Sequence, residues 1–187
     1  MGHLGQRVCP WYMGYVLANP LRKLYQDPQK ILGKYIKPGM KVLEIGPGMG
    51  FFTLPMAQMV GSTGKIISVD VQDKMLLRLR KRAHRNHLDH VIDTWQCPPS
   101  SLAIADQNGT IDFALAFYVV HEVPDPEILL KEIYEALKPG GIFFIAEPNG
   151  HVIREAFDKL LLSAQRKGFS IVEMPEVRGS HAVVLIK

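Results

Sequence analysis

Three groups of residues have the types and spacing to do chemistry. The first is Lys41-Val42-Leu43-Glu44-Ile45-Gly46-Pro47-Gly48-Met49-Gly50-Phe51-Phe52-Thr53, where an apolar run meets glycines at alternate positions and continues as a helical pattern. Glycines there let the backbone turn sharply and approach a ligand, and amides at the following helix start can face a negative group. The second is Asp70, which ends the next apolar run. A carboxylate at a strand end can accept two charge-assisted hydrogen bonds from a ribose diol. The third is Phe117-Tyr118-Val119-Val120-His121-Glu122. An imidazole that titrates near pH ~6.5 could take a proton from a hydroxyl or amine. It could equally be a loop histidine held by a backbone carbonyl, and Tyr118 could line an acceptor pocket or simply pack.

Such residues need a scaffold that brings them to one edge. Short apolar runs at Lys41 to Ile45, Ile66 to Val69, Val91 to Trp95, Ile111 to Phe117 and Ile142 to Ala146 alternate with longer helical patterns. The helical stretches are Phe51 to Met59, Gln72 to Asn86, Pro126 to Leu137 and Val152 to Lys167. That alternation predicts an α/β, Rossmann-like, doubly wound and mostly parallel sheet. The last two runs, Phe169 to Glu173 and His181 to Ile186, have no helix between them and read as a closing hairpin. This makes a seven-stranded sheet with an antiparallel last strand, expected at the edge. Asn19-Pro20 and Asp27-Pro28 each put a capping side chain before a proline suited to a first helical turn, so short helices are expected at Pro20 to Tyr25 and Pro28 to Tyr35. One domain is expected, with residues 1–37 as an N-terminal helical cap on a core of residues 38–187. Trp11, Tyr12 and Tyr15 could be core aromatics or a lid over the acceptor pocket, and the lid is the preferred reading.

A dinucleotide-binding loop could look similar, but its fingerprint wants glycine where Phe51 stands. A strand, an acidic residue and then Gly-x-Gly-x-Gly resembles the first motif of class I S-adenosylmethionine-dependent methyltransferases. The run from Ile111 to Pro124, followed by Leu137-Lys138-Pro139-Gly140-Gly141, resembles the fourth strand and turn of the methyltransferase type 11, or ubiquinone-methylase-like, subgroup. The resemblance spans Pro38 to Glu147 and implies S-adenosylmethionine as cofactor, S-adenosylhomocysteine as its product and a small molecule as methyl acceptor. It implies that Gly46, Gly48 and Gly50 wrap the methionine end, that Glu44 helps hold the ammonium group and that Asp70 holds the ribose. It places Val71, Cys97, Pro98 and Phe117 against the cofactor, with His121 and Tyr118 as candidate catalytic residues. Many relatives carry an acidic residue after the third strand, whereas this chain reads Trp95-Gln96-Cys97-Pro98-Pro99-Ser100. Gln96, a backbone carbonyl or apolar contact alone would then hold the adenine. The Cys97-Pro98-Pro99 stretch follows the third strand, so it matches neither the Pro-Pro tetrad of amine methyltransferases nor the cysteine of cytosine-C5 enzymes.

Composition removes several classes. The 187 residues are 47% hydrophobic and 21% charged, as in an ordinary globular protein able to bury its own core. The two cysteines, Cys9 and Cys97, form no metal-ligand spacing, so no zinc site and no disulfide framework is expected. His84, His87 and His90 lack accompanying carboxylate ligands, and no metal is expected there. No leader is read at the N-terminus and no apolar run approaches membrane-spanning length, which predicts a cytoplasmic protein without membrane contact. The helix from Gln72 carries Lys74, Arg78, Arg80, Lys81, Arg82 and Arg85, and the net charge is +4. A solvated face is the preferred reading of that stripe, because stacking aromatics are absent. An RNA methyltransferase is left open by it, as is a cofactor-binding partner subunit that has lost catalysis. A nicotinamide-dependent oxidoreductase is the remaining rival.

Overall fold

The structure is a computed structural model, and it describes Tyr12 and residues 20–187. Trp11 and Tyr15, two of the three lid candidates, lie outside the described residues. Seven strands form one sheet: β1 (Lys41–Ile45), β2 (Lys65–Asp70), β3 (Ile92–Gln96), β4 (Ile111–Phe117), β5 (Leu137–Pro148), β6 (Ser170–Glu173) and β7 (Ser180–Ile186). Their order is β3-β2-β1-β4-β5-β7-β6. The first five pair in parallel. β7 runs antiparallel to both neighbours.

β7 is therefore not the edge strand that the sequence reading placed there. It inserts between β5 and β6, and β6 forms the edge. The strand burials explain this: Ala182, Val183, Val184 and Leu185 are all buried, while Ser170, Ile171 and Val172 are exposed. A run apolar at consecutive positions needs cover on both faces and pairing on both sides.

Helices α1 (Pro28–Leu32), α2 (Thr53–Val60), α3 (Asp73–Arg85), α4 (Pro126–Ala136) and α5 (Arg154–Arg166) supply that cover. Leu129, Leu130, Ile133 and Ala136 of α4 join Phe157, Leu161 and Ala164 of α5 over one face. Leu32 of α1 and Leu54, Met56, Ala57 and Val60 of α2 cover the other. Strand alternation feeds both layers: Leu43 and Ile45 point into the first, Val42 into the second. α4 begins where Asp125 accepts hydrogen bonds from the amides of Glu127 and Ile128 ahead of Pro126. α1 is shorter than the sequence reading had it, and the short helix expected from Pro20 is a 3-10 helix over Pro20–Leu24. Leu137 begins β5 instead of ending α4, and it pairs with Ile111 across an irregularity in the ladder.

Chain direction across the sheet reverses between β1, whose successor β2 lies on one side, and β4 on the other. In open α/β sheets a crevice forms beyond the strand ends at such a switch point. The loops that leave β1 and β4 are the glycine loop and the segment from Tyr118 to His121.

Candidate active site

A cleft of about 620 Å³ opens at that switch point. Its wall brings together Glu44, Gly46 and Gly48 after β1, Asp70 and Val71 after β2, Cys97 and Pro98 after β3, and Phe117, Tyr118 and His121 after β4. Gly50 stands one step behind the wall. Its Cβ would lie 2.6 Å from Leu79 Cδ1, so the missing side chain lets α3 pack on the loop. A Cβ on Gly46 would likewise meet Val119 Cγ2 at 2.6 Å. Gly48 differs from both: its φ is +55° and nothing lies within 4 Å of the place a Cβ would take. The loop's backbone is thus bare towards the cleft at Gly48.

Arg82 of α3 reaches back to donate to the Met49 carbonyl of that loop. One member of the basic stripe therefore holds the glycine loop. Arg80 binds Asp73 and Thr94 within and beside its own helix. His84 pairs with Asp89. Among the described residues no group of three His, Cys, Asp or Glu side chains is placed to hold a metal ion. No helix of the described residues is long and apolar enough to cross a membrane.

Glu44 is 3% exposed, and the hydroxyls of Thr53 and Ser68 both donate to its Oε2, at 2.6 and 2.9 Å. Burial pushes its carboxyl up to about 7, against those two hydroxyls, which favour the charged form. Asp70 accepts from the Gln72 amide at 2.8 Å. Burial pushes it up to about 6, opposed by the amides of Gln72, Gly48 and Val71 and aided by the nearby charge of Glu122. Both carboxyls line one cleft and burial pushes both up, a pattern that clusters at functional sites.

These shifts carry a stability cost. A carboxyl whose folded pKa lies above its unfolded value binds its proton more tightly when folded. Its contribution is then greatest below the unfolded pKa and declines as pH rises through the folded one. Moving Asp70 from 3.8 to about 6 costs on the order of 3 kcal/mol at pH 8. Asp70→Asn is therefore expected to raise the melting temperature of the ligand-free protein at pH 8 by about 5–10 °C. The gain should vanish below pH ~4. The same variant should weaken nucleoside binding by about 10-fold to 100-fold. Scanning calorimetry at both pH values checks the first half, and titration calorimetry the second.

Beyond Asp70 the wall turns apolar. Val71, Cys97, Pro98, Leu102, Ile128 and Leu129 line the cleft there. Burial raises the Cys97 thiol to about 11, so it stays protonated and inert. Gln96 points elsewhere: its side-chain amide donates to the Val71 carbonyl at 3.3 Å, and it is exposed. Glu132 of α4 fixes the loop after β3, accepting from Ser101 Oγ at 2.5 Å and from the Leu102 amide at 2.7 Å. The acidic residue that shapes this loop thus comes from α4 rather than from the loop itself.

The loop after β4 is organised by Glu147, a residue the motif reading did not single out. Its Oε1 accepts from the amides of Val119 and Val120, and its Oε2 from the His121 amide. Oε2 also meets His121 Nδ1 at 2.5 Å. An ionised carboxylate only accepts, so Nδ1 carries the proton and the neutral ring offers a bare Nε2. That nitrogen lies 4.0 Å from Glu122 Oε1. The Glu147 hydrogen bond raises the His121 pKa above its ordinary value, with burial opposing. A signal for Glu147 did exist: like Asp70, it is an acidic residue that directly follows an apolar run.

Tyr118 takes up a left-handed backbone, φ 63°. Its hydroxyl accepts from Gln26 Nε2 and shares a hydrogen bond of 2.6 Å with Ser180 Oγ. Strain of this kind persists only where the surroundings hold it. Here the N-terminal turn and β7 both do so.

Comparison with known proteins agrees with this geometry. Residues 17–181 match the family model described as a methyltransferase domain. The carboxy-S-adenosyl-L-methionine synthase of Hydrogenovibrio crunogenus is 28% identical over 166 residues, covering 84% of this chain and 63% of that protein. The ubiquinone/menaquinone biosynthesis C-methyltransferase of Pseudoalteromonas translucida is 29% identical over 133 residues, covering 70% and 52%. The chain thus spans between half and two thirds of the length of these relatives. A crystal structure of a SAM-dependent methyltransferase from Aquifex aeolicus superposes with a TM-score of 0.86 at 24% identity, covering 96% of this chain and 99% of that one. Matched to that model over most of its length, the chain belongs to the methyltransferase-domain family.

Proposed function

We propose that this chain is an S-adenosylmethionine-dependent methyltransferase acting on a small-molecule nucleophile in the cytoplasm. Residues 38–187 would be its core and residues 1–37 a cap. One arrangement carries the reading: a single cleft at the sheet's switch point joins the bare Gly48 backbone, the Asp70 carboxylate and the His121 ring. When bound, S-adenosylmethionine supplies a methyl group already activated on a sulfonium sulfur. Asp70 accepts hydrogen bonds from the ribose hydroxyls, and the Gly48 backbone lies along the ligand. Val71, Cys97 and Pro98 flank the adenine. A backbone carbonyl of the loop after β3 takes the adenine amino group, since Gln96 is not among the residues that line the cleft. Phe117 and Tyr118 keep water from the reacting atoms, which aligned transfer in a dry site requires. His121 Nε2 accepts a proton where the acceptor has one to lose.

Titration calorimetry with S-adenosylhomocysteine and with NAD separates this reading from a dehydrogenase. S-Adenosylhomocysteine should bind, and a hundredfold excess over Kd should add about 2.7 kcal/mol of stability. NAD should not bind, and the reverse pattern would overturn the reading. Transfer is then tested with methyl-tritiated S-adenosylmethionine over metabolite pools and RNA. Label is expected in the small-molecule fraction. Label in RNA would reassign the acceptor, and binding without transfer anywhere would make the chain a non-catalytic subunit.

A further inference from the structure

The 3-10 turn Pro20–Leu24 places a charged side chain in the cleft wall. Arg22 is 8% exposed and is the only arginine or lysine among the described residues that line the cleft, whose other charged side chains are acidic. Its guanidinium carbon lies 4.5 Å from the centroid of the Phe51 ring and 5.8, 5.7 and 5.5 Å from those of Phe52, Phe117 and Tyr118. Nε donates to Gln26 Oε1 at 2.7 Å, and Gln26 in turn donates to the Tyr118 hydroxyl. Aromatic faces and the Gln26 hydrogen bond help set the guanidinium plane.

The place of that cation matters. Phe51 and Phe52 directly follow the glycine loop, and the next residue, Thr53, holds the buried Glu44 carboxylate. A fixed cation and a buried carboxyl therefore flank one turn of chain at the same end of the cleft. The methionine end of S-adenosylmethionine carries an ammonium and a carboxylate on one carbon, so its recognition calls for opposite charges that close together. A guanidinium offers a planar fork that fits a carboxylate. Aromatic faces on several sides keep water away and leave the attraction little screened.

We propose that Arg22 is the ligand of the cofactor's amino-acid carboxylate, opposite Glu44 at the ammonium, so that the N-terminal turn completes the cofactor site. The proposal rests on the cofactor reading above and deepens it. It gives the N-terminal segment a direct part in cofactor binding, which the sequence reading had assigned only to the acceptor side.

The test compares S-adenosylhomocysteine with its decarboxylated analogue, S-adenosyl-3-thiopropylamine, by titration calorimetry. The native protein should prefer S-adenosylhomocysteine by about 10-fold to 100-fold. Arg22→Met keeps an apolar stem against Phe51 but no charge. It should bind the analogue within about threefold of the native protein and lose the preference. Arg22→Lys, a point charge without the fork, should retain part of it. An equal loss for both ligands in Arg22→Met would make Arg22 a packing residue and overturn the proposal. So would an undiminished preference in that variant, or no preference in the native protein. Should Arg22→Met fail to fold, the native preference and its reduction in Arg22→Lys decide the matter in the same way. Failure of the native protein to bind either ligand would instead remove the cofactor reading itself.

Discussion

Gly48→Val should leave a folded protein that no longer binds S-adenosylhomocysteine. Two effects act on the ligand side. The φ of +55° is one that a β-branched residue adopts only at a cost, about 1–2 kcal/mol. Relief of that cost moves the loop away from the geometry the ligand needs. The new side chain would also enter space that is open at present, since no atom lies within 4 Å of the Cβ position. Gly48 itself lines the cleft. Together they should weaken binding by about 100-fold or more. The fold should survive, because domains hold a reserve of about 5–15 kcal/mol and the added Cβ has no protein atom within 4 Å. Gly50→Val makes the contrasting control. Its Cβ would press on Leu79 Cδ1 at 2.6 Å, so it should lower the melting temperature before it affects the ligand. Circular dichroism and titration calorimetry on both variants separate the outcomes. Unchanged affinity in a folded Gly48→Val protein would reduce the loop to a tight turn.

The contrast between these glycines shows what sequence could and could not convey. Gly46, Gly48 and Gly50 are equivalent in spacing, and only packing distinguishes them: Val119 stands behind the first, open cleft before the second and Leu79 behind the third. Asp70 was legible because it ends its strand by itself, whatever its neighbours do. Glu147 follows an apolar run in the same way, but its role depends on a loop some way back in the chain that only the β4–β5 pairing brings near. Arg22 was invisible for a similar reason. In a short turn beside Lys23 it reads as a surface charge, and its burial exists only once Phe51, Phe52, Phe117 and Tyr118 converge from separate elements. The hairpin of β6 and β7 was legible from the missing helix between them. Which strand sits inside was set by the burial of β7 on both faces, a property of runs rather than of turns.

The largest effect on turnover is expected from His121. Its loop is clamped by Glu147 through three backbone amides and the ring Nδ1, so the ring has a fixed tautomer and a fixed direction. With an acceptor that must lose a proton, His121→Ala should lower turnover by about 10²–10⁴-fold. Binding of S-adenosylhomocysteine should change little, because Gly48, Asp70 and Arg22, the residues proposed to hold its two ends, lie on other segments. The direction of the pH dependence follows from the raised pKa. The ring accepts a proton only when neutral, so the native rate should climb with pH through a midpoint above the ordinary histidine value. Glu147→Gln removes the carboxylate that raises this pKa and keeps an oxygen for the amides. The midpoint should then shift to lower pH, and the imidazole proton signals in the NMR spectrum should titrate with it. Stability runs the opposite way. A His121 whose folded pKa exceeds its unfolded one adds stability that is complete below the unfolded pKa and is lost as pH rises through the folded pKa. The clamp therefore holds most firmly on the acid side, where the base is protonated, and activity appears as that electrostatic contribution fades. A His121→Ala protein that turns over at the full rate would make the ring a packed loop residue. If Glu147→Gln instead lowered the rate equally at all pH values, Glu147 would act on the loop backbone alone.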